Sequence, residues 1–211
     1  MKDIIDFSSR DLLLGYTLGI FPMANSADDD RVTWVSPKKR GIIPIENLHI
    51  SKSLRKKLSS KKYHSTFNKD FFRVVSHCRN RKETWLNNIL VNKYIELHKE
   101  KFAHSVEIWL GEELVGGLFG VSIGACFFGE SMFSLKNDGS KLALVSIINR
   151  LKSCGHKLFD TQFFTPHLGR MGGIEISKIK YEKILKANIT KNIEFQHTDN
   201  EKEFLFAPKK I

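Results

Sequence analysis

The chain's 211 residues are 41% hydrophobic and 27% charged, with 16 Phe and 3 Trp, a balance that buries a core and excludes a mainly disordered protein. No stretch approaches the roughly 18 uninterrupted apolar residues of a membrane span, and the charged start (Lys2, Asp3, Asp6, Arg10, Asp11) has no apolar signal segment, so a cytoplasmic location and no membrane partner are expected. Thirty-four basic against 23 acidic residues give a net charge of +11.

In chain order, residues 8–20 read as a short helix capped by Ser8 or Ser9 and stopped at Gly19. Turn formers around two short apolar runs then suggest small strands and loops up to residue 45. Ser51 or Ser53 can cap a basic helix, SLRKKL. Residues 47–69 hold no Asp or Glu but contain Lys52, Arg55, Lys56, Lys57, Lys61, Lys62 and Lys69. RNA, DNA or anionic lipid is the partner such a stretch suggests, and a solvated lysine-rich face gives the same pattern.

Phe71, Phe72, Val75 and Cys78 fall at helical spacing, as do Leu86, Leu90, Tyr94 and Leu97 within a helix expected over 84–102. The period then changes to that of strands: VEIWL, LVGGLFGVSI and ACFFGESMF predict an antiparallel meander. A helix over 140–153 with Gly155 as its stop, a strand in HKLFDTQFF and a helix over 178–187 complete the chain. The class expected is α+β with a mixed sheet, divided into a small N-terminal domain over 1–47 and a larger one over 48–211.

Three clusters could carry chemistry. Period-2 geometry places Asp160 and Gln162 on one strand face, where each must satisfy the other or a ligand. An Asp–Gln pair that merely ties the sheet to a loop fits equally. Glu130, among Phe127, Phe128, Met132 and Phe133, needs a cationic partner, either an internal Lys or Arg or a basic substrate. Trp34 and Trp85 read as loop aromatics suited to base stacking, and Trp109 as a core residue. Cys78, Cys126 and Cys154 suggest neither disulfides nor zinc, and His98 and His104 lack a metal-ligand spacing, so no metal is expected. Gly169-Arg170-Met171-Gly172-Gly173 is too short for a dinucleotide fingerprint.

These motifs, taken together, resemble the leucyl/phenylalanyl-tRNA–protein transferase family. The likeness runs through GYTLGIFPM (15–23), WVSPKKRGIIPI (34–45), LHISKSL (48–54), TW (84–85), AHSVEIW (103–109) and LVGGLFG (114–120). It continues through FFGESMFS (127–134), GSKLAL (139–144), LFDTQFFTPHLGRMGG (158–173) and IEIS (174–177). The resemblance implies a GNAT-like catalytic domain and a cytoplasmic, monomeric enzyme of the N-degron pathway. Such an enzyme moves Leu or Phe, and Met less well, from aminoacyl-tRNA to the α-amine of proteins beginning with Arg or Lys. No cofactor is implied, since the aminoacyl ester is itself activated.

By the same resemblance, Gln162, oriented by Asp160, holds the attacking amine, and Glu130 meets the basic acceptor. Phe127, Met132, Leu118 and Ile147 line the donor side-chain pocket. Trp85 stacks on the terminal adenine, and Lys52, Arg55, Lys56 and Lys57 meet acceptor-stem phosphates. Met23 stands where some relatives have a second stacking aromatic, Gly139 replaces a usual Ala, and many relatives have a longer N-terminal stretch, so a trimmed small domain is expected. Two other classes fit parts of the pattern: an acetyl-CoA-dependent N-acetyltransferase, for which Asn137-Asp138-Gly139-Ser140 is a poor pyrophosphate loop, and a non-catalytic RNA-binding module.

Overall fold

The computed structural model describes residues 3–4, 7–195 and 203–204, with side chains over 7–195; Lys2 and Asp6 lie outside the described residues. Helix α1 (Ser9–Thr17) starts at a capping box. Ser8 Oγ accepts from the Asp11 amide at 3.2 Å, and an Asp11 carboxylate oxygen accepts from the Ser8 amide at 2.8 Å. Strands β1 (Asp3–Ile4), β2 (Phe21–Ala24) and β3 (Val32–Val35) form a small antiparallel sheet in the order β1-β3-β2.

The remaining strands build one mixed sheet of eight. They are β4 (Lys39–Ile43), β5 (Tyr63–Phe67), β6 (Ala103–Leu110), β7 (Glu113–Ile123), β8 (Cys126–Ser134), β9 (Leu158–Gln162), β10 (Ile174–Ser177) and β11 (Glu203–Phe204). Their order is β10-β4-β9-β8-β7-β6-β5-β11, antiparallel except for the parallel pair β8/β9. The α+β mixed-sheet architecture and the β6–β8 meander are as expected. The expected division after residue 47 is not where the sheets part, because β4 hydrogen-bonds between β9 and β10 in the larger sheet. The chain crosses between sheets at residues 36–38.

The helices are α2 (Lys52–Ser59), α3 (Phe71–Arg79), α4 (Asn88–Lys99), α5 (Gly139–Cys154), α6 (Pro166–Gly169) and α7 (Lys178–Asn188). Period-2 alternation sorts neighbouring strand residues onto opposite faces. Leu118, Phe127 and Phe159 pack with Leu144, Ile147 and Ile148 of α5. Phe119, Phe128 and Leu158 pack instead with Phe71 and Val75 of α3 and with Leu90, Tyr94 and Leu97 of α4. Two expectations shift. Helix α4 starts at Asn88 rather than 84, because the Asn87 side chain accepts from the Leu90 amide at 2.9 Å and ends the preceding loop. Phe72, expected on the core stripe, is 63% exposed.

Candidate active site

The site lies where β8 and β9 separate. They pair from Cys126/Leu158 to Phe128/Asp160 and no further. Past that point, Gly129, Glu130, Ser131 and Met132 on one side and Thr161 on the other border a cavity of about 90 Å³, closed by Leu118, Leu144, Phe159 and Leu168. Two bulges flank the opening. Phe119 pairs with Ser131 and Gly120 with Gly129, so Glu130 is the extra residue of β8. Gly41 pairs with Gln162 and Ile42 with Asp160, so Thr161 is the extra residue of β9. A bulge re-aims the side chains beside it. Gln162 accordingly has φ +64°, and Gly41 opposite it leaves no room for a Cβ, which would sit 2.6 Å from the Phe163 backbone.

The second bulge corrects the expected strand face. Asp160 and Gln162 turn to different partners, and Asp160 orients the backbone of Gln162, not its amide group. Asp160 Oδ1 accepts from the Gln162 amide N–H at 2.8 Å and from Arg40 Nε at 2.9 Å. Its Oδ2 accepts from Arg40 Nη2 at 2.7 Å and from the Tyr181 hydroxyl at 2.6 Å. Asp160 and Arg40 are 0% and 1% exposed. The guanidinium lies 4.5 Å from the ring centres of both Phe21 and Tyr181 and donates to the Gly19 carbonyl at 3.1 Å. Burial works against the Arg40 charge, and the Asp160 carboxylate outweighs it, so the Arg40 pKa rises.

Glu130 departs further from expectation. It is 7% exposed, and its partners among the described residues are all uncharged. Oε1 accepts from the Tyr16 hydroxyl at 2.8 Å, Oε2 from the Tyr94 hydroxyl at 2.8 Å, and both lie 2.9 Å from Gln162 Nε2. Of the two cationic partners expected, the internal Lys or Arg is not in this set, its place being taken by the tyrosines and the amide. Burial pushes the carboxyl up to about 7, against the pull of the three hydrogen-bond donors, with Asp160 adding a smaller push. The Tyr16 and Tyr94 hydroxyls are raised too, by burial first and then by the Glu130 charge. With its amide nitrogen spent on Glu130, Gln162 keeps a carbonyl oxygen without a hydrogen-bond partner among the described residues.

The other expected residues divide. Leu118 and Met132 line the cavity, as do Leu144, Phe159 and Leu168, which the sequence reading did not assign to it. Phe127 and Ile147 are 0% exposed and sit behind it in the core. Met23 and Trp85 share the wall of a second, open cavity of about 590 Å³, held side by side by the Ala24 amide, which donates to the Trp85 carbonyl at 3.1 Å. Arg81, from the same wall, donates to Ser131 Oγ at 3.2 Å and to the Met132 carbonyl, linking the two cavities.

Trp34 is not at a loop edge. It lies in β3 with its ring over Gly15, where a Cβ would come within 2.3 Å, and it borders a different cavity. Trp109 is core, its indole N–H donating to Thr66 Oγ1 at 2.9 Å. On α2, Lys52 and Lys56 are exposed and Arg55 is half-buried, but Lys57 is engaged, donating to Asp138 Oδ2 at 2.7 Å and to the Asn137 carbonyl. Asp138 also takes Lys141, so the start of α5 presents a carboxylate where acetyl-CoA phosphates would need open amides. Arg40, Tyr16, Tyr94 and Tyr181 went unassigned in the sequence. Arg40 and Tyr16 lie inside motifs quoted for the resemblance, whereas Tyr94 reads as an ordinary core position of an amphipathic helix.

Comparison with known proteins defines the class. The family model described as leucyl/phenylalanyl-tRNA protein transferase matches residues 42–186, and its N-terminal domain model matches residues 5–38. A leucyl/phenylalanyl-tRNA–protein transferase of Ruegeria sp. (strain TM1040) is 51% identical over 178 residues, 84% of this chain and 85% of that protein. One from Dinoroseobacter shibae is 48% identical over 179 residues, 85% and 80% of the two chains. The solved structure of L-PGS from Bacillus licheniformis aligns with a TM-score of 0.42 at 15% identity, covering 76% of this chain and 55% of that one. The protein is an aminoacyltransferase. It belongs to the leucyl/phenylalanyl-tRNA protein transferase family.

Proposed function

We propose that this aminoacyltransferase takes Leu or Phe, and Met less well, from the 3′ end of aminoacyl-tRNA. It joins the residue to the α-amine of a protein beginning with Arg or Lys, which marks that protein for N-degron degradation in the cytoplasm, and it does so as a monomer. The observation that carries this reading is the pair of linked cavities: a small apolar one beside Glu130 and Thr161, and an open one walled by Trp85 and Met23. The first suits an aliphatic or aromatic side chain, and the second suits an adenosine stacked on Trp85.

In this reaction a C–N bond forms and the ester C–O bond breaks, and the proton lost by the amine ends on the ribose hydroxyl. The ester is already activated, so the protein's work is orientation. Gln162 offers its carbonyl oxygen to the amine, while Asp160 holds the Gln162 backbone and Glu130 its amide nitrogen. Glu130 therefore acts on the acceptor through Gln162. Lys52, Arg55 and Lys56 meet acceptor-stem phosphates, whereas Lys57 braces α2 against α5.

The test is transfer of labelled Leu from Leu-tRNA to an Arg-initiated peptide without ATP or coenzyme A. Transfer is expected, and its absence with folded protein and intact aminoacyl-tRNA overturns the reading. Neutral substitution of Lys52, Arg55 and Lys56 should weaken use of aminoacyl-tRNA, with a shallower salt dependence, and spare an aminoacyl-adenosine mimic. Equal loss with both donors removes α2 from tRNA contact.

A further inference from the structure

The Tyr16 and Tyr94 hydroxyl oxygens lie 2.8 Å apart, and each lies 2.8 Å from a Glu130 oxygen. Three close O···O contacts therefore join three side chains. The two hydroxyls supply only two protons. With Glu130 ionised, one contact is left with two lone pairs facing each other beside tyrosines that are 0% exposed. If both hydroxyls donate to the carboxylate, it is the Tyr16–Tyr94 contact. If Tyr16 donates to Tyr94, it is the Tyr16–Glu130 contact. A third proton fills every contact: Glu130 Oε1–H donates to Tyr16, Tyr16 to Tyr94, and Tyr94 to Glu130 Oε2.

We propose that Tyr16, Tyr94 and Glu130 form a closed ring of three hydrogen bonds filled by three protons, with Glu130 carried as an uncharged carboxylic acid. Each hydroxyl accepts once and donates once, one carboxyl oxygen donates and the other accepts, and the carboxyl oxygen that bears no proton still accepts from Gln162 Nε2. The charged groups that act on Glu130 are Asp160 on β9 and Arg40 on β4, and these two neutralise each other. No cation among the described residues is paired with Glu130 to hold it ionised. Tyr16 and Tyr94 are thus positioning residues: from α1 and α4 they fix Glu130, and Glu130 fixes Gln162.

A filled ring has no vacancy for the proton of an ammonium group. The acceptor then reaches Gln162 as the free amine, having left its extra proton in solvent, and the amine's second proton passes to the departing ribose oxygen by another route. The ring's part in aminoacyl transfer rests on the function proposed above, whereas its proton content is measured without any substrate.

Infrared difference spectroscopy of the full chain, with no tRNA or peptide, reads the proton directly. At about pH 6 an ordinary glutamate is almost fully ionised, its usual pKa being about 4.3. The wild type should show a protonated-carboxyl stretch that shifts in deuterium oxide and is lost in Glu130→Gln. Glu107, also buried and raised by burial against hydrogen bonds from Ser105 and Thr66, is separated by its own Glu107→Gln variant. The Glu130 band should change position in Tyr16→Phe and Tyr94→Phe and stay fixed in Tyr181→Phe, whose hydroxyl serves Asp160. A spectrum whose protonated-carboxyl signal is unchanged by Glu130→Gln, or a Glu130 band indifferent to both ring tyrosines, overturns the proposal.

Discussion

Two buried carboxylates on neighbouring strands meet opposite electrostatic fates. Asp160 is matched by a full cation, Arg40, in a bidentate pair closed off by Tyr181 and the Gln162 backbone. Glu130 is buried too, at the edge of the cavity, but is given hydroxyls and an amide. Burial alone therefore does not determine charge state; the partners do. Desolvation of an anion is offset by a guanidinium at contact distance, while neutral dipoles offset it only in part and leave the Glu130 carboxyl raised to about 7. Gln162 is tied to both, by its backbone to one and by its side chain to the other.

Removing the cation is the severest way to break this contrast. Arg40→Met leaves Asp160 buried and unpaired, and should cost about 3–5 kcal/mol in urea unfolding. Adding Asp160→Asn should restore part of that loss. A double variant as unstable as Arg40→Met alone would mean that the guanidinium's stacking on Phe21 and Tyr181, not its charge, is what the fold needs.

The residue that joins the two carboxylates comes next. Gln162→Ala should slow single-turnover transfer from a fixed Phe-tRNA to an Arg peptide by on the order of a hundredfold, with donor affinity little changed, because orientation and not binding is lost. Circular dichroism checks the fold, and near-wild-type rates would remove Gln162 from the mechanism.

The pH dependence of stability tests the Glu130 side. Its carboxyl rises from 4.5 to about 7 on folding, so the native state binds the proton more tightly than the unfolded chain does. Its contribution is fully present below the unfolded value and fades as pH rises through about 7. Wild-type stability should thus fall between about pH 4.5 and 7, relative to Glu130→Gln, by on the order of 2 kcal/mol. Parallel curves for the two proteins would show that Glu130 titrates normally.

The smallest quantity is a difference, between the loss of one hydroxyl at each carboxylate. Tyr181→Phe removes a hydrogen bond to a charged group, at about 1.5–3 kcal/mol, whereas Tyr16→Phe, if Glu130 is neutral, should cost about 1 kcal/mol. Chemical denaturation at about pH 6 ranks them, and the reverse order would put the charge on Glu130.

Local physical chemistry made much of the framework legible. Ser8 and Ser51 cap helices within one turn of chain, Gly155 stops α5 in the left-handed region, and the shift from helical to strand period marks β6 to β8. Asp160, Gln162 and Glu130 stood out because a polar group in an apolar strand must be satisfied. Their partners did not stand out. Tyr94 obeys the helical spacing of its apolar neighbours, so nothing local separates its hydroxyl from the packing role of its ring. The cavity lining was mistaken in part for the same reason: Phe127 and Phe159 follow the same alternation, and only the parting of β8 from β9 decides which of them faces open space.

What the amino-acid sequence determined by itself is what acts over a few residues: caps, turns, periodicity, the basic α2 and the family strings. Tertiary structure alone decided which charges meet. Arg40 and Asp160 are 120 positions apart, and Tyr16 and Glu130 are 114 apart. Two bulges set the aim of Glu130 and Gln162, and a bulge exists only once neighbouring strands are in register. The proton balance of the site follows from that assembly, because desolvation and hydrogen-bond geometry are properties of the packed interior and have no local signature in the chain.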